Sequence, residues 1–208
     1  MSTTTLRFLQ QENTRLLEEN RSLREENFGL RRYMDALKSL AWATQQITSE
    51  DNLLPLVDQI LYSAMGVLNA EGGSFLLLDE ETGELAFVLV HGDVENELRG
   101  FRIRGDVGIA GWVATHRQPL IINNPRQDAR FSPEVDETFG FITRSILCVP
   151  MIARGRLMGV IQLLNKYDSN EFNEADMTLL SILGHVAAIA LEELDIRLEA
   201  EDAAQVSI

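Results

Sequence analysis

The chain has 208 residues, 45% of them hydrophobic and 24% charged, enough for one ordinary domain plus an extra segment or for two very small domains. That composition excludes wholesale disorder, a collagen-like fibre and a disulfide scaffold, and the net charge of -14 argues against nucleic acid or an anionic membrane surface as the main partner. No fully apolar run approaches the roughly 18 residues of a membrane span, the polar N-terminus MSTTTLRFLQQENTRLLEEN is no signal peptide, and the single cysteine, Cys148, points to a reducing cytoplasm.

The charge is unevenly spread. Residues 1–41 hold seven Lys/Arg and six Asp/Glu, whereas the other 167 residues hold eleven and twenty-six. In the balanced segment Leu9, Leu16, Leu23, Leu30 and Leu37 recur every seven residues. With these at d, the a positions are Leu6, Asn13, Asn20, Asn27, Met34 and Ala41, the seam of a two-stranded coiled coil. A buried Asn at a must meet its twin to satisfy its amide, so three of them specify a parallel, in-register pair at some cost in stability. Glu19 and Glu26 at g stand five residues before Arg24 and Arg31 at e, which gives opposite-sign pairs across a homodimer. An amphipathic helix folded on its own domain would need a third apolar column, and a DNA-binding zipper would need a basic region; neither pattern is present.

Beyond residue 34 the helix is expected to run on to about Ile47, with Ser49, Glu50 and Asp51 marking a break before an apolar helix over 53–68. Residues 73–78 and 85–90 read as a hairpin across Asp79–Glu84. Gly108 opens a short helix, 119–122 is a short strand, and 123–138 is polar, aperiodic and proline-containing, either a solvated connection or a lid. Two further strands, 145–152 and 157–164, flank the turn Ala153-Arg154-Gly155-Arg156. Asn173 caps a last helix with Asp176 in its first turn, and Ile182, Val186, Ile189 and Ile196 form an apolar stripe on it, with Leu179 and Leu183 beside. The pattern predicts an α+β domain with a largely antiparallel sheet and packed helices.

Chemistry-bearing motifs are sparse. His91, His116 and His185 lie far apart without cysteine neighbours, so no zinc site is expected. Cys148 sits in an apolar strand, as a buried inert thiol would. Neither a phosphate loop nor a nucleophile elbow occurs.

Three ordered motifs carry more information: GIAGWVATHRQPLII at 108–122, VDETFGFITRSILCVP at 135–150 and GVIQLLNKYDSNEFNEAD at 159–176. In them the chain resembles a GAF domain, most of all those of cyclic-nucleotide phosphodiesterases and bacterial adenylyl cyclases, over roughly residues 35–197. The resemblance implies a six-stranded antiparallel sheet flanked by helices, a dimer, and a small-molecule sensor attached to an output enzyme. The cyclic-nucleotide subset carries N-K-x(n)-F-x(3)-D-E. Asn165, Lys166, Phe172 and Asp176 match it, and Met177 replaces the final Glu. Lys166 and Asp176 are similar to a structural salt bridge of the family. Carried over by motif, Ser74 faces a nucleotide base, the backbone of Ile109 and Ala110 meets a cyclic phosphate as helix N-termini suit anions, and Val135 and Thr143 cover the ligand. Three positions depart from the pattern: His91 replaces an Asp, Phe139 a Thr and Gln162 a Glu. The resemblance thus implies a retained pocket with an altered ligand. Bilin photoreceptors tether their chromophore to a cysteine commonly next to a histidine, whereas Cys148 is followed by Val149 in a core strand, and the GAF methionine sulfoxide reductases work through several cysteines where this chain has one.

The expected organisation is a parallel coiled-coil dimerisation helix over 1–44, a GAF sensor domain over 45–198 and a flexible acidic tail over 199–208. The expected function is a non-catalytic, cytoplasmic, homodimeric signalling module that binds a small, nucleotide-like molecule, uses no metal or cofactor, and contacts neither nucleic acid nor membrane. It relays binding to a separate signalling protein, since no output domain follows Ile208, or else the chain is a piece of a longer protein. The alternative is a ligand-free adaptor whose cavity is plugged by Phe131, Phe139 and Phe141.

Overall fold

The computed structural model describes residues 3–45, 53–167 and 171–206, with side chains described only in part along the first helix, at the start of the second and toward the end of the last. The expected break at Ser49, Glu50 and Asp51 lies outside the described residues. The chain divides into two units, Met1–Ala41 and Trp42–Ile208.

The first unit belongs to one long helix, α1 (Thr3–Gln45), without proline or an interior break. Arg15 bridges Glu12 at 2.7 Å and Glu19 at 3.4 Å, and Arg31 Nε donates to Asn27 Oδ1 at 3.2 Å. Such i,i+3 and i,i+4 pairs each add about 0.2–0.5 kcal/mol to a helix. Leu9, Leu16 and Leu23 are 51%, 51% and 56% exposed, so their seven-residue stripe is uncovered among the described residues. Asn13, Asn20 and Asn27 are exposed too. The side chains of Leu30 and Leu37 lie outside the described residues.

The second unit is built on one antiparallel sheet of six strands in the order β3-β2-β1-β6-β5-β4. The strands are β1 (Ala70–Leu78), β2 (Glu84–His91), β3 (Arg102–Arg104), β4 (Leu120–Ile122), β5 (Ile146–Ala153) and β6 (Arg156–Lys166). Both expected hairpins are present: Leu78 pairs with Leu85 across the first, and Ala153 with Arg156 across the second. The central strands read as near-continuous apolar runs because both sheet faces are covered, so alternate residues enter different cores. At residue Gly73 an added Cβ would meet Leu61 and Leu163, and at Gly184 it would meet Val149 and Ile161. These residues therefore mark the face packed against α2 (Leu53–Leu68) and α6 (Glu174–Val206). The opposite face presents Leu76, Ile146, Cys148 and Val160 to α4 (Gly108–His116), in a second cluster with Leu85, Phe87, Ile109 and Val113. Gly159 stands where backbones nearly touch. Its φ is +155°, and a Cβ there would lie 2.0 Å from the Leu76 carbonyl oxygen, so no other residue fits the centre of β6 undistorted.

Two short helices complete the second unit, α3 (Glu95–Leu98) and α5 (Glu134–Phe139). The polar stretch after β4 holds α5 and a 3-10 turn, Pro125–Gln127. Along α6 the buried stripe is Leu179, Leu180, Leu183, Ala187, Ala188 and Leu191, whereas Ile182, Ile189 and Ile196 are 44–50% exposed and point elsewhere. The window Glu174–Leu194 is long and apolar enough to cross a bilayer by composition, and 44% of it is buried within the protein. The helix continues to Val206, through most of the acidic end of the chain.

Candidate functional site: a roofed cavity above the sheet

On the α4 side of the sheet lies a cavity of about 90 Å³. Its floor holds two polar residues that the register places opposite each other, Ser74 on β1 and Gln162 on β6. Gln162 Nε2 donates to Ser74 Oγ at 3.0 Å, and the two residues are 9% and 2% exposed. The remaining floor is apolar, with Phe87, Val90, Ile146 and Leu164.

One wall is the start of α4, where Val107, Gly108, Ile109 and Ala110 line the cavity. Gly108 adopts φ +71°, turning the chain abruptly into the helix. Val107 provides no side-chain cap, and the first N–H satisfied by the helix is that of Gly111, donating to the Val107 carbonyl at 3.2 Å. The preceding N–H groups are the orphan donors of a helix N-terminus, beside the cavity.

A second wall comes from the end of β2 and from α3. Here His91 is clasped between carboxylates, Nε2 lying 2.9 Å from Asp58 Oδ1 on α2 and Nδ1 3.6 Å from Glu95 Oε2 on α3. The Tyr62 ring packs edge-on at 6.1 Å. Asp93 and Val94 continue this wall.

The roof is the segment over 123–144. Phe131, Ser132, Glu134, Val135, Asp136, Phe141 and Thr143 face the cavity from it. Asp136 is 5% exposed, and its two oxygens accept the Thr143 hydroxyl at 2.6 Å and the Thr143 N–H at 2.9 Å, with Arg126 at 3.6 Å outside. Arg130 lies over the Trp112 ring, 4.9 Å from its centroid, while His116 stacks on the same ring at 4.2 Å. Arg130 also forks onto Asp128 at 2.9 and 2.7 Å, and this holds the Asp128 carboxyl down to about 2.

Of the eight expected ligand residues, Ser74, His91, Ile109, Ala110, Val135, Thr143 and Gln162 line this one cavity. Phe139 is absent from its lining; its ring packs edge-on to Phe101 at 5.1 Å. The other two expected plugs, Phe131 and Phe141, do line it. Sequence reading missed Asp93 in the wall, Glu134 and Asp136 in the roof and Asp58 behind His91. Asp58 and His91 are 33 residues apart in sequence, and no local pattern joins them.

Lys166 and Asp176 stand outside the cavity. They form an ion pair whose side chains are 13% and 4% exposed, with Lys166 Nζ 5.6 Å from the centre of the Phe172 ring. Asp176 also accepts the Asn173 N–H at 3.0 Å, while Asn173 Oδ1 accepts those of Ala175 and Asp176, a reciprocal helix cap. Asn165, 1% exposed and at φ +55°, accepts the Arg144 N–H at 2.7 Å and donates to the Ile142 carbonyl at 2.9 Å. Cys148 is fully buried, and desolvation pushes its thiol well above the usual range.

This architecture has a family. Residues 52–192 match the GAF domain family. The chain belongs to it. GAF domains are small-molecule-sensing regulatory modules of phosphodiesterases and other signalling proteins. This one is 30% identical over 148 residues to a probable 3',5'-cyclic phosphodiesterase of Caenorhabditis elegans, covering 65% of this chain and 20% of that protein. It is 33% identical over 86 residues to the cone cGMP-specific 3',5'-cyclic phosphodiesterase subunit alpha' of Mus musculus, covering 41% of this chain and 10% of the other. The chain therefore spans a fifth or less of the length of these relatives. In fold the GAF domain is similar to that of a phosphoenolpyruvate-protein phosphotransferase from Coxiella burnetii, with TM-score 0.68, 21% identity, and coverage of 79% and 97% of the two chains. It is likewise similar to free methionine-R-sulfoxide reductase from Neisseria meningitidis, with TM-score 0.65, 17% identity, and coverage of 79% and 91%.

Proposed function

We propose that this GAF domain is a non-catalytic, cytoplasmic small-molecule sensor that works as a homodimer and passes ligand binding to a separate signalling partner or output domain. The observation carrying this reading is the cavity itself. It lies beneath a roof and over a polar pair, Ser74 and Gln162, and is flanked by the unpaired N–H groups of α4. A ligand there contacts the sheet, α4 and the roof at once, so binding biases their relative positions. The exposed Leu9, Leu16 and Leu23 on α1 support a parallel coiled coil, and Ile182, Ile189 and Ile196 give α6 an uncovered stripe of the same spacing.

Cyclic nucleotides are the first ligands to test, given the names of the relatives. In a thermal melt, a ligand at about 100 times its dissociation constant stabilises its receptor by about 2.7 kcal/mol. A shift with cyclic AMP or cyclic GMP makes the domain a second-messenger sensor. A second reading is favoured by one observation: Phe131 and Phe141 line a space of only about 90 Å³, well below the roughly 300 Å³ at which ligand pockets begin. In that reading the domain is a ligand-free adaptor that presents a dimer surface, and no small molecule shifts its melting.

A further inference from the structure

Resting on the sensor reading, we propose that this cavity takes a compact, uncharged molecule, apolar apart from one oxygen acceptor, of the kind and size of a short-chain alcohol, ketone or amide. The volume sets the scale. A cavity of roughly 150 Å³ with apolar walls holds benzene. About 90 Å³ therefore suits a smaller molecule, of about four or five heavy atoms. The lining sets the chemistry. Phe87, Val90, Leu98, Ile109, Ala110 and Ile146 all line the cavity at 6% exposure or less, and together they favour a hydrocarbon body.

No charge in the lining is placed to meet a charged ligand inside. Neither Lys nor Arg lines the cavity among the described residues, so an anion finds no counterion there. A cation fares no better. Asp136 is engaged by the hydroxyl and N–H of Thr143, and Asp93 and Glu134 are exposed to solvent. The two nitrogens of His91 are turned toward Asp58 and Glu95. An ion of either sign would leave water without a partner, which burial penalises heavily.

The floor supplies the single polar contact. Ser74 Oγ accepts from Gln162 Nε2 at 3.0 Å and so keeps its own proton to donate, and the Gln162 amide keeps a second one. These residues are 2% and 9% exposed, side by side in an otherwise apolar floor. Two such donors suit one ligand oxygen, a carbonyl or a hydroxyl. Among the described residues no buried side-chain polar atom lacks a partner. The ligand therefore adds a bond to a pair that is already satisfied, and the unliganded domain needs no occupant to fold.

The test is an NMR titration of the isotope-labelled full chain. The neutral probes are isopropanol, isobutanol, butanone and propanamide. Propanoate and propylammonium serve as charged counterparts of propanamide, and cyclic AMP and cyclic GMP complete the set. The expected result is saturable shifts at Ser74, Val90, Ile109 and the Gln162 side-chain amide with at least one neutral probe. Propanoate and propylammonium should bind at least about tenfold more weakly. Ser74→Ala removes the hydroxyl without adding bulk and should weaken binding by about fivefold. Val135→Phe fills the cavity from a half-buried roof position and should abolish it. Preferential binding of a charged probe or a cyclic nucleotide overturns the uncharged ligand and leaves the sensor standing. Shifts that map away from the cavity overturn it too, as does unchanged affinity in both variants. Silence across every probe overturns the uncharged ligand and the sensor together.

Discussion

Asn123 and Phe172 exchange two hydrogen bonds, the Asn123 amide donating to the Phe172 carbonyl at 3.0 Å and accepting its N–H at 3.0 Å. Asn165 grips the chain in the same way at the Ile142 carbonyl and the Arg144 N–H. Asn165 and Phe172 therefore hold the two ends of the cavity roof. In Asn123→Ala the two Phe172 groups lose their partner. Stability should fall by about 1–3 kcal/mol, and amide exchange should accelerate over 123–144 while the β1–β6 pairing stays protected. Unchanged exchange in the roof would show that Asn165 suffices.

Lys166→Ala leaves the Asp176 carboxylate nearly buried and deprived of its cation, so a loss of about 3 kcal/mol is expected in urea unfolding. Ligand affinity should stay within a few fold, because neither residue lines the cavity. Complete loss of binding by a variant that still unfolds cooperatively would place Lys166 in the site.

Asp128 titrates near 2 in the folded chain under the hold of Arg130 and near 3.9 when unfolded. A carboxyl with a depressed folded pKa adds stability that is fully present above about pH 4 and is lost as the pH falls toward 2. The stability gap between the natural chain and Asp128→Asn should therefore close over that window. Parallel unfolding curves for the two proteins between pH 4 and pH 2 would contradict the assignment.

Charged replacements at Leu16 and Leu23 remove the middle of the α1 stripe, and sedimentation should then report monomer. The exposed isoleucines of α6 provide the contrast: a dimer that survives the α1 changes but dissolves in Ile182→Asp and Ile189→Asp is held by the last helix. Within α1 the Glu19 carboxylate already meets Arg15 of its own helix at 3.4 Å, so an interchain Glu19–Arg24 pair must compete for it. Single charge swaps at Arg24 should therefore alter association less than the leucine changes.

Strong periodicity made most of this fold legible from sequence. The two hairpins, α4 and the long helices all announce themselves by apolar runs, turn glycines or caps. β3 does not, since Arg102-Ile103-Arg104 turns one apolar side chain inward and pairs its arginines with Asp79, Glu84 and Asp106 outside. α5 is six residues long with no side-chain cap, too short to show a period. That brevity also explains Phe139. It lies one turn beyond Val135, about 6 Å along the helix axis, and meets Phe101 rather than the cavity. The floor of the site was legible through family motifs because Ser74 and Gln162 belong to regular strands. Its acidic walls were not, since Asp93 and Asp136 gain their positions only when a loop and a short helix fold over the sheet.

The burial of Cys148 has a practical side. With its sulfur fully enclosed and its thiol resistant to ionisation, the folded chain offers thiol reagents no accessible native target. A cysteine introduced at exposed Glu137, on the roof, would then take up a spin label or fluorophore alone. Opening and closing over the cavity could be timed in an otherwise unaltered background.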